Sequence, residues 1–263
     1  MTVQTRTEHP EHHVLLLGAT GRTGGRVLQE LLAREVPTRV IVRSAGRLPE
    51  GLSTDPRLTV LEADLLALPE EDFAAQVDAC DAVISCLGHT LDLRGIFGPP
   101  RDLVERAVAN VLAAAGASER HEPLRVILMS SVSVNPVGRR EERRTRLERI
   151  VLAILRTIVP PAGDNQRAAD LLAAASRDAG SNAVGVVVRP DTLAEGAATP
   201  YEVHETLVAS LFRARTTHMA NVARFLADLA LDDDVWARRR GTMPVIVDAE
   251  TGPMAGAGAV TAP

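Results

Sequence analysis

The sequence predicts an α/β fold in which helices cover both faces of a doubly wound parallel sheet. Short apolar runs of strand length alternate with stretches of helix length over roughly the first 190 residues. A glycine-rich turn separates the first run from the first helix. The 46% hydrophobic content comes mainly from Ala, Val and Leu, which suits strands buried on both faces.

The predicted elements alternate as right-handed βαβ units require. Strands are expected at the apolar runs Val14–Leu17, Thr38–Val42, Leu58–Leu61, Asp81–Cys86, Arg125–Met129, Val184–Val188 and Met243–Val247. Helices are expected where apolar or alanine-rich stretches reach helical length, at Arg22–Arg34, Leu103–Ala115, Asp164–Ala175 and Asn221–Leu229. The Gly-, Ala- and Thr-rich segment Asp191–Thr199 is expected to be a loop.

A G-x-x-G-x-x-G loop lies between the first strand and the first helix. Glycines there allow a tight turn and let backbone amides approach a pyrophosphate at the positive helix N-terminus. The strand–loop–helix context separates this motif from a chance glycine triplet. We therefore predict a dinucleotide site that includes Gly18, Thr20, Gly21, Arg22, Thr23 and Gly24.

Arginines indicate which dinucleotide is bound. Arg22 lies inside the loop, and Arg43 and Ser44 follow the second strand. An acidic residue at the end of that strand would bind a ribose 2′-hydroxyl, whereas arginines pair with a 2′-phosphate. This pattern favours NADP(H) over NAD(H). The alternative is that both arginines are solvated surface charges.

These motifs resemble the atypical short-chain dehydrogenase/reductase superfamily, especially its NmrA-like and biliverdin-reductase-B-like branches. The resemblance covers the GATGRTG loop, the EADL segment at 62–65 and the MSSV segment at 129–132. The change of pattern after Arg189 predicts a small C-terminal substrate cap at 191–250 that completes the same domain, with flexible tails at 1–11 and 251–263. The resemblance implies a Rossmann-type NAD(P)-binding domain at 12–190. It also implies that the cofactor is lined by Asp64, Leu65, Cys86, Leu87, Gly88, Ser130 and Pro190.

The chain contains no lysine and a single tyrosine, Tyr201. Extended members of the superfamily carry Y-x-x-x-K before the sixth strand, where this chain has Ala162 and Gln166. The proton-donating role of that pair therefore has no counterpart here. The predicted catalytic replacements are Ser131, by its family position, His89, after the fourth strand, and Tyr201, in the cap; Ser133 and His204 are further candidates.

The run Arg139–Arg149 alternates positive and negative charge at helical spacing. This pattern predicts a solvated helix with i,i+4 ion pairs. The alternative is a mobile lid whose arginines attract an anionic substrate.

Composition argues against several other classes of protein. The net charge of −5 does not suggest nucleic-acid binding, and no apolar run approaches the ~18 residues of a membrane span. Cys80 and Cys86 are expected to be buried and reduced, and no residues stand at metal-ligand spacing. With no signal peptide visible at the start, the expected location is the cytoplasm.

Together these features predict an NADPH-dependent reductase of a ketone or conjugated carbonyl in a small molecule. An aromatic polyketide-like substrate and a tailoring role in secondary metabolism fit the family, and the protein is expected to be a monomer or homodimer. Two alternatives remain open. One is a non-catalytic NADP(H) sensor of the NmrA type, and the other is a cyclase or isomerase that retains the cofactor structurally.

Overall fold

The computed structural model describes residues 12–88, 100–136, 141, 144–158, 160–210 and 214–250. The strands are β1 (Val14–Leu17), β2 (Thr38–Val42), β3 (Leu58–Glu62), β4 (Ala82–Ser85), β5 (Leu124–Met129), β6 (Ala183–Pro190), β7 (Thr192–Ala194), β8 (Tyr201–His204), β9 (Thr216–His218) and β10 (Val245–Asp248). The α-helices are α1 (Arg22–Ala33), α2 (Glu70–Asp78), α3 (Leu103–Ala117), α4 (Arg146–Ile158), α5 (Pro160–Ala175), α6 (Met219–Leu231) and α7 (Asp233–Arg239). A short 3₁₀ helix spans Ala45–Arg47.

Eight strands form one sheet in the order β3-β2-β1-β4-β5-β6-β10-β8. The strands from β3 to β10 are parallel, and β8 runs antiparallel to β10 at the edge. The strand order reverses between β1 and β4, and open α/β sheets bind ligands beyond the carboxyl ends of the strands at such a point. The predicted Rossmann-type, doubly wound α/β fold is confirmed.

Both faces of the sheet are buried, as the apolar β1 run requires. Val14 and Leu16 pack in one core together with residues of α1 and α6. Leu15 and Leu17 pack in a second core with residues of α2, α3 and α5. All four side chains are at most 1% exposed, which explains why the strand reads as an unbroken apolar run.

Much of the segment predicted as a cap is built into the sheet itself. β10 lies between β6 and β8, and its residues Val245, Ile246 and Val247 are completely buried. α6 packs against α1 and against β4 and β5. The segment predicted as a loop contains β7, which pairs with β9 in a separate two-stranded ladder. Residues 191–250 therefore contribute core as well as edge structure.

The charged run is not a solvated helix throughout, so that prediction is wrong for several of its residues. α4 begins only at Arg146, behind a capping box in which Thr145 N donates to Glu148 Oε2 at 2.7 Å and Glu148 N donates to Thr145 Oγ1 at 3.2 Å. Glu141, Arg144 and Glu148 are 7%, 5% and 0% exposed. They are buried because hydrogen bonds and an ion pair inside the protein satisfy their charges. Residues 137–140 and 142–143 lie outside the described part.

Candidate active site

The glycine loop is too tightly packed for side chains at its first and third glycines. Gly18 has φ +83°, and a Cβ there would lie 2.7 Å from the carbonyl carbon of Cys86. A Cβ at Gly24 would lie 2.1 Å from the Gly18 oxygen. Gly21 caps α1, and its N–H donates to that same oxygen at 3.0 Å. The turn thus leaves the N-terminus of α1 open to a close-approaching anion, as a pyrophosphate requires.

A cleft with about 910 Å³ of empty space, part of it open to solvent, lies beside this loop. Nine of the residues predicted from the sequence line it: Gly18, Thr20, Gly21, Arg43, Asp64, Leu65, Cys86, Leu87 and Gly88. The remaining wall comes from Ile41, Val42, Arg47, Ala63, Leu66, Pro100 and Leu103. Sequence reasoning missed Arg47, which the 3₁₀ helix after β2 carries to the same wall as Arg43.

Carboxylates at the end of β3 organise the polar wall of the cleft. Glu62 Oε2 accepts a hydrogen bond from Ala45 N at 2.8 Å, which ties β3 to the turn that carries Arg43 and Arg47. Asp64 Oδ1 accepts from Leu66 N at 3.0 Å. The two arginines are exposed, so they are available to a charged ligand group.

Arg22 does not line this cleft. Its Nε and Nη2 atoms donate to Glu195 Oε1 at 3.0 and 2.8 Å, and Arg26 bonds the other carboxylate oxygen. Thr23 and Gly24 are buried at the start of α1, and Ser44 follows Arg43 as the N-cap of the 3₁₀ helix.

The segment that follows β5 lies beside the end of β6. Ser130 N donates to Val188 O at 2.8 Å, and Val132 N donates to Pro190 O at 3.1 Å. The hydroxyl oxygens of Ser131 and Ser133 are 2.5 Å apart, so one serine donates to the other. Ser130 Oγ is buried with no hydrogen-bond partner among the described residues, a polar atom that a bound ligand could satisfy.

A pocket opens next to this segment. It is lined by Val132, Arg144, Asp191, Thr192, Leu207, Ala209, Ser210 and Ala214. Arg144, from the charged run, donates a hydrogen bond to Val132 O and forms part of the pocket wall. The pocket combines apolar surface with one buried guanidinium and one carboxyl group.

Gln166, at the position aligned with the missing lysine, has a structural role. Its Oε1 accepts from Asn135 N at 2.9 Å, and its Nε2 donates to Asn135 O at 3.1 Å and to Asp170 Oδ1 at 2.9 Å. The amide therefore fixes the segment that begins with the serine pair. A lysine, which has no acceptor, could not make both backbone bonds.

Tyr201 is not positioned as a proton donor for this cleft. Its hydroxyl donates to Asp228 Oδ2 at 3.1 Å, and Asp228 pairs with Arg34 at the end of α1. The glycine loop lies at the other end of that helix, about 18 Å away, because α1 has twelve residues and rises about 1.5 Å per residue. Burial and the neighbouring Asp228 raise the pKa of Tyr201 to about 12. His89 lies outside the described residues.

A histidine that the sequence did not single out is paired at the carboxyl end of β10. His218 Nδ1 lies 2.9 Å from Asp248 Oδ2, and His218 N donates to Asp248 Oδ1 at 3.0 Å. Asn221 Nδ2 donates to Asp248 Oδ1 at 2.7 Å and to Thr199 Oγ1 at 2.9 Å. Nothing in the local sequence indicates this cluster, because its members come from three separate segments, around Thr199, His218–Asn221 and Asp248.

A buried ion pair supports the end of β6. Arg189 is completely buried, and its Nη1 lies 2.6 Å from Glu141 Oε1. Arg189 Nε donates to Met243 O at 2.8 Å, and Glu141 Oε2 accepts from Leu207 N at 3.3 Å. The pair therefore joins β6, the segment before β10 and a wall of the pocket.

Asp191 provides a pH-dependent contribution to stability. Burial raises the pKa of its carboxyl, although hydrogen bonds from Arg215 N and Thr192 oppose the shift. Because the pKa is higher in the folded state, this contribution is present below the ordinary pKa of 3.8 and is lost as the pH rises through the folded-state pKa.

We therefore expect Asp191→Asn to raise the Tm at pH 7, since the variant removes a partly buried negative charge. The gain should shrink towards zero as the pH is lowered and Asp191 becomes protonated in the wild type. Thermal unfolding of both proteins across this pH range measures the difference. An equal Tm difference at every pH would contradict the assignment.

The described residues include neither a membrane-spanning helix nor a metal-binding cluster. Within that part of the chain, no helix is long and apolar enough to cross a bilayer. The same residues contain no group of three or more His, Cys, Asp or Glu side chains arranged to hold a metal ion.

Comparison with known proteins identifies the family. A model of NAD(P)H-binding proteins matches residues 18–233. Curated relatives include the chloroplastic protein TIC 62 of Oryza sativa subsp. japonica, 26% identical over 151 residues, or 52% of this chain and 30% of that protein. The chain spans less than a third of the length of the curated relatives it matches.

Solved structures share the fold at low sequence identity. A short-chain dehydrogenase/reductase from Veillonella parvula, crystallised with NADP, has a TM-score of 0.66 at 15% identity, covering 91% of this chain and 96% of that one. The anaerobilin reductase ChuY from Escherichia coli O157:H7 has a TM-score of 0.63 at 21% identity, covering 92% and 99%. These likenesses confirm the Rossmann-type fold, and the family match confirms that the chain belongs with NAD(P)H-binding proteins.

Proposed function

The chain belongs to the NAD(P)H-binding family, and from that premise we propose that it is an NADPH-dependent reductase of a carbonyl or conjugated carbonyl group in a small molecule. The observation that carries the proposal is the single cleft in which nine predicted residues meet beside the N-terminus of α1. Structural relatives described as oxidoreductases support the reaction class. The cytoplasmic location and the oligomeric state stay predictions.

The residues present fit the dinucleotide. The glycine loop and the N-terminus of α1 would hold its pyrophosphate, and Arg43 and Arg47 would hold the 2′-phosphate. When bound, the nicotinamide supplies a hydride. Ser131 would donate a hydrogen bond to the carbonyl oxygen, with Ser133 at 2.5 Å orienting its hydroxyl. The pocket lined by Arg144 and Asp191 would hold the rest of the substrate.

The reaction is tested with NADPH that carries deuterium at nicotinamide C4 and with a panel of quinones, enones, aldehydes and anaerobilin. We expect NADPH to bind and deuterium to appear in a reduced product. Binding without turnover of any compound would favour the sensor alternative. A product formed without NADPH consumption would favour the isomerase alternative.

Replacing both Arg43 and Arg47 by alanine is expected to raise the Kd for NADPH roughly 10- to 100-fold. Hydrogen bonds to charged groups contribute about 1.5–3 kcal/mol, and the 2′-phosphate would lose them. Affinity for NADH should stay unchanged because NADH has no 2′-phosphate. Fluorescence titration measures both, with Arg57→Ala as the control, since Arg57 pairs with Asp55 away from the cleft. Equal losses for NADH and NADPH would contradict this role.

A further inference from the structure

The segment 191–199, which we call the strap, connects the end of β6 to the first turn of α1. It starts after β6, while Glu195 contacts α1, which follows β1. The strand β7, residues Thr192–Ala194 of the strap, pairs with β9, so this part of the strap is extended.

Both ends of the strap are held by hydrogen bonds. At its start, Arg215 N donates to Asp191 Oδ2 at 3.0 Å, and β7 pairs with β9. At its far end, Thr199 N donates to Asn221 Oδ1 at 2.9 Å. The middle of the strap is held by side chains. Glu195 binds Arg22 of α1, and the backbone of Gly196 packs against the ring of His218.

The middle of the strap fits closely on the residues beneath it. A Cβ at Gly196 would lie 2.3 Å from Cδ2 of His218, so the backbone lies directly on the imidazole. The ring is held in turn by Asp248, whose Oδ2 is 2.9 Å from Nδ1. The contact between Gly196 and His218 therefore fixes the strap where the Glu195 side chain reaches α1.

Glu195 sits beside the first turn of α1 rather than in front of the helix end. It bonds Arg22 through one carboxylate oxygen and Arg26 through the other. Residues four apart lie on one side of a helix, so a carboxylate bonded to both lies along that side. The position in front of the helix N-terminus, where an anion binds, stays open.

We propose that Glu195 is a positioning residue that latches the strap beside the N-terminus of α1, next to the pyrophosphate of the bound dinucleotide. This inference rests on the proposed function. Arg22 then acts by holding Glu195 instead of by contacting a phosphate. The dinucleotide enters and leaves when the two ion pairs open, so Glu195 sets its dwell time.

The test is the dissociation rate of NADPH from the full chain, followed by stopped-flow fluorescence. Arg22 and Glu195 are 68% and 52% exposed, and exposed pairs are individually weak. For the two pairs together, Glu195→Ala should raise the rate roughly 3- to 15-fold. Wild-type dissociation should accelerate at high ionic strength, whereas the variant should respond less. An unchanged rate or slower dissociation in Glu195→Ala would overturn the proposal.

Two further variants separate a latch from a general structural role. Glu195→Arg should release NADPH at least as fast as Glu195→Ala, and adding Arg26→Glu should restore part of the dwell time by re-forming one ion pair. Asp233→Ala is the matched control, because it removes an exposed carboxylate from Arg125 at the amino end of β5. The control should dissociate like the wild type. Lack of any recovery in the charge-swapped protein would count against the latch.

Hydrogen exchange distinguishes failure of the latch from failure of the proposed function. In the protein without ligand, Glu195→Ala should speed amide exchange within the strap while leaving the sheet unchanged. If neither protein binds NADPH, the proposed function fails, and faster exchange still supports the latch. If both bind with equal dissociation and exchange rates, the latch alone is refuted.

Discussion

Gly24→Ala is expected to abolish NADPH binding and to lower the free energy of unfolding by about 3 kcal/mol, the upper end of the usual cost of overpacking. The new Cβ would lie 2.1 Å from the Gly18 oxygen and 2.8 Å from its carbonyl carbon, both of them backbone atoms. No rotamer change can relieve such a contact, so α1 must move away from the loop. That movement displaces the helix N-terminus from the pyrophosphate position.

Gly116→Ala provides the matched control for this prediction. Gly116 lies in α3, and a Cβ there would meet nothing within 4 Å. The variant should keep NADPH affinity and gain roughly 0.5–1 kcal/mol, because alanine loses less backbone freedom than glycine on folding. Urea unfolding and NADPH titration measure both proteins. Normal NADPH affinity in Gly24→Ala would show that the loop does not bind the dinucleotide.

Arg189→Leu is expected to lower the free energy of unfolding by about 3–5 kcal/mol. The substitution leaves Glu141, which is 7% exposed, without its guanidinium partner. It also removes the hydrogen bond that Arg189 Nε donates to Met243 O at 2.8 Å. An unpaired buried carboxylate is costly, whereas a buried ion pair adds little compared with apolar residues of similar volume.

The double variant Arg189→Leu with Glu141→Leu should therefore recover much of the lost stability. Urea unfolding of the wild type, both single variants and the double variant gives the coupling energy. NADPH affinity should change less than stability, since neither residue lines the cleft beside the glycine loop. Additive losses in the double variant would contradict a coupled ion pair.

Most of the amino-terminal half of the fold could be predicted closely from the sequence, although the helix α2 was not predicted. β2 spans Thr38–Val42 as predicted, and α1 begins at Arg22 as predicted. Buried parallel strands are continuous apolar runs, and the glycine loop marks the point where a strand meets a helix. These signals are local, so the strands, the loop and the cleft beside the loop follow from short stretches of sequence.

The carboxyl-terminal third could not be predicted in the same way. β10 forms a strand near its predicted position, yet its place between β6 and β8 depends on pairing with residues more than 40 positions away. The short strands β7, β8 and β9 carry few apolar residues, so periodicity does not reveal them. Their pairing partners stabilise them instead.

The sequence by itself determined the Rossmann-type sheet, the family and a cleft suited to NADP(H), because these depend on local periodicity and on glycine geometry. The tertiary structure decided the partners of the charged residues. It paired Arg22 with Glu195 across 173 positions and Arg189 with Glu141 across 48, and it directed the Tyr201 hydroxyl to Asp228. A side chain's residue type sets which partners it can bind, but only the folded chain brings one of them within hydrogen-bonding distance.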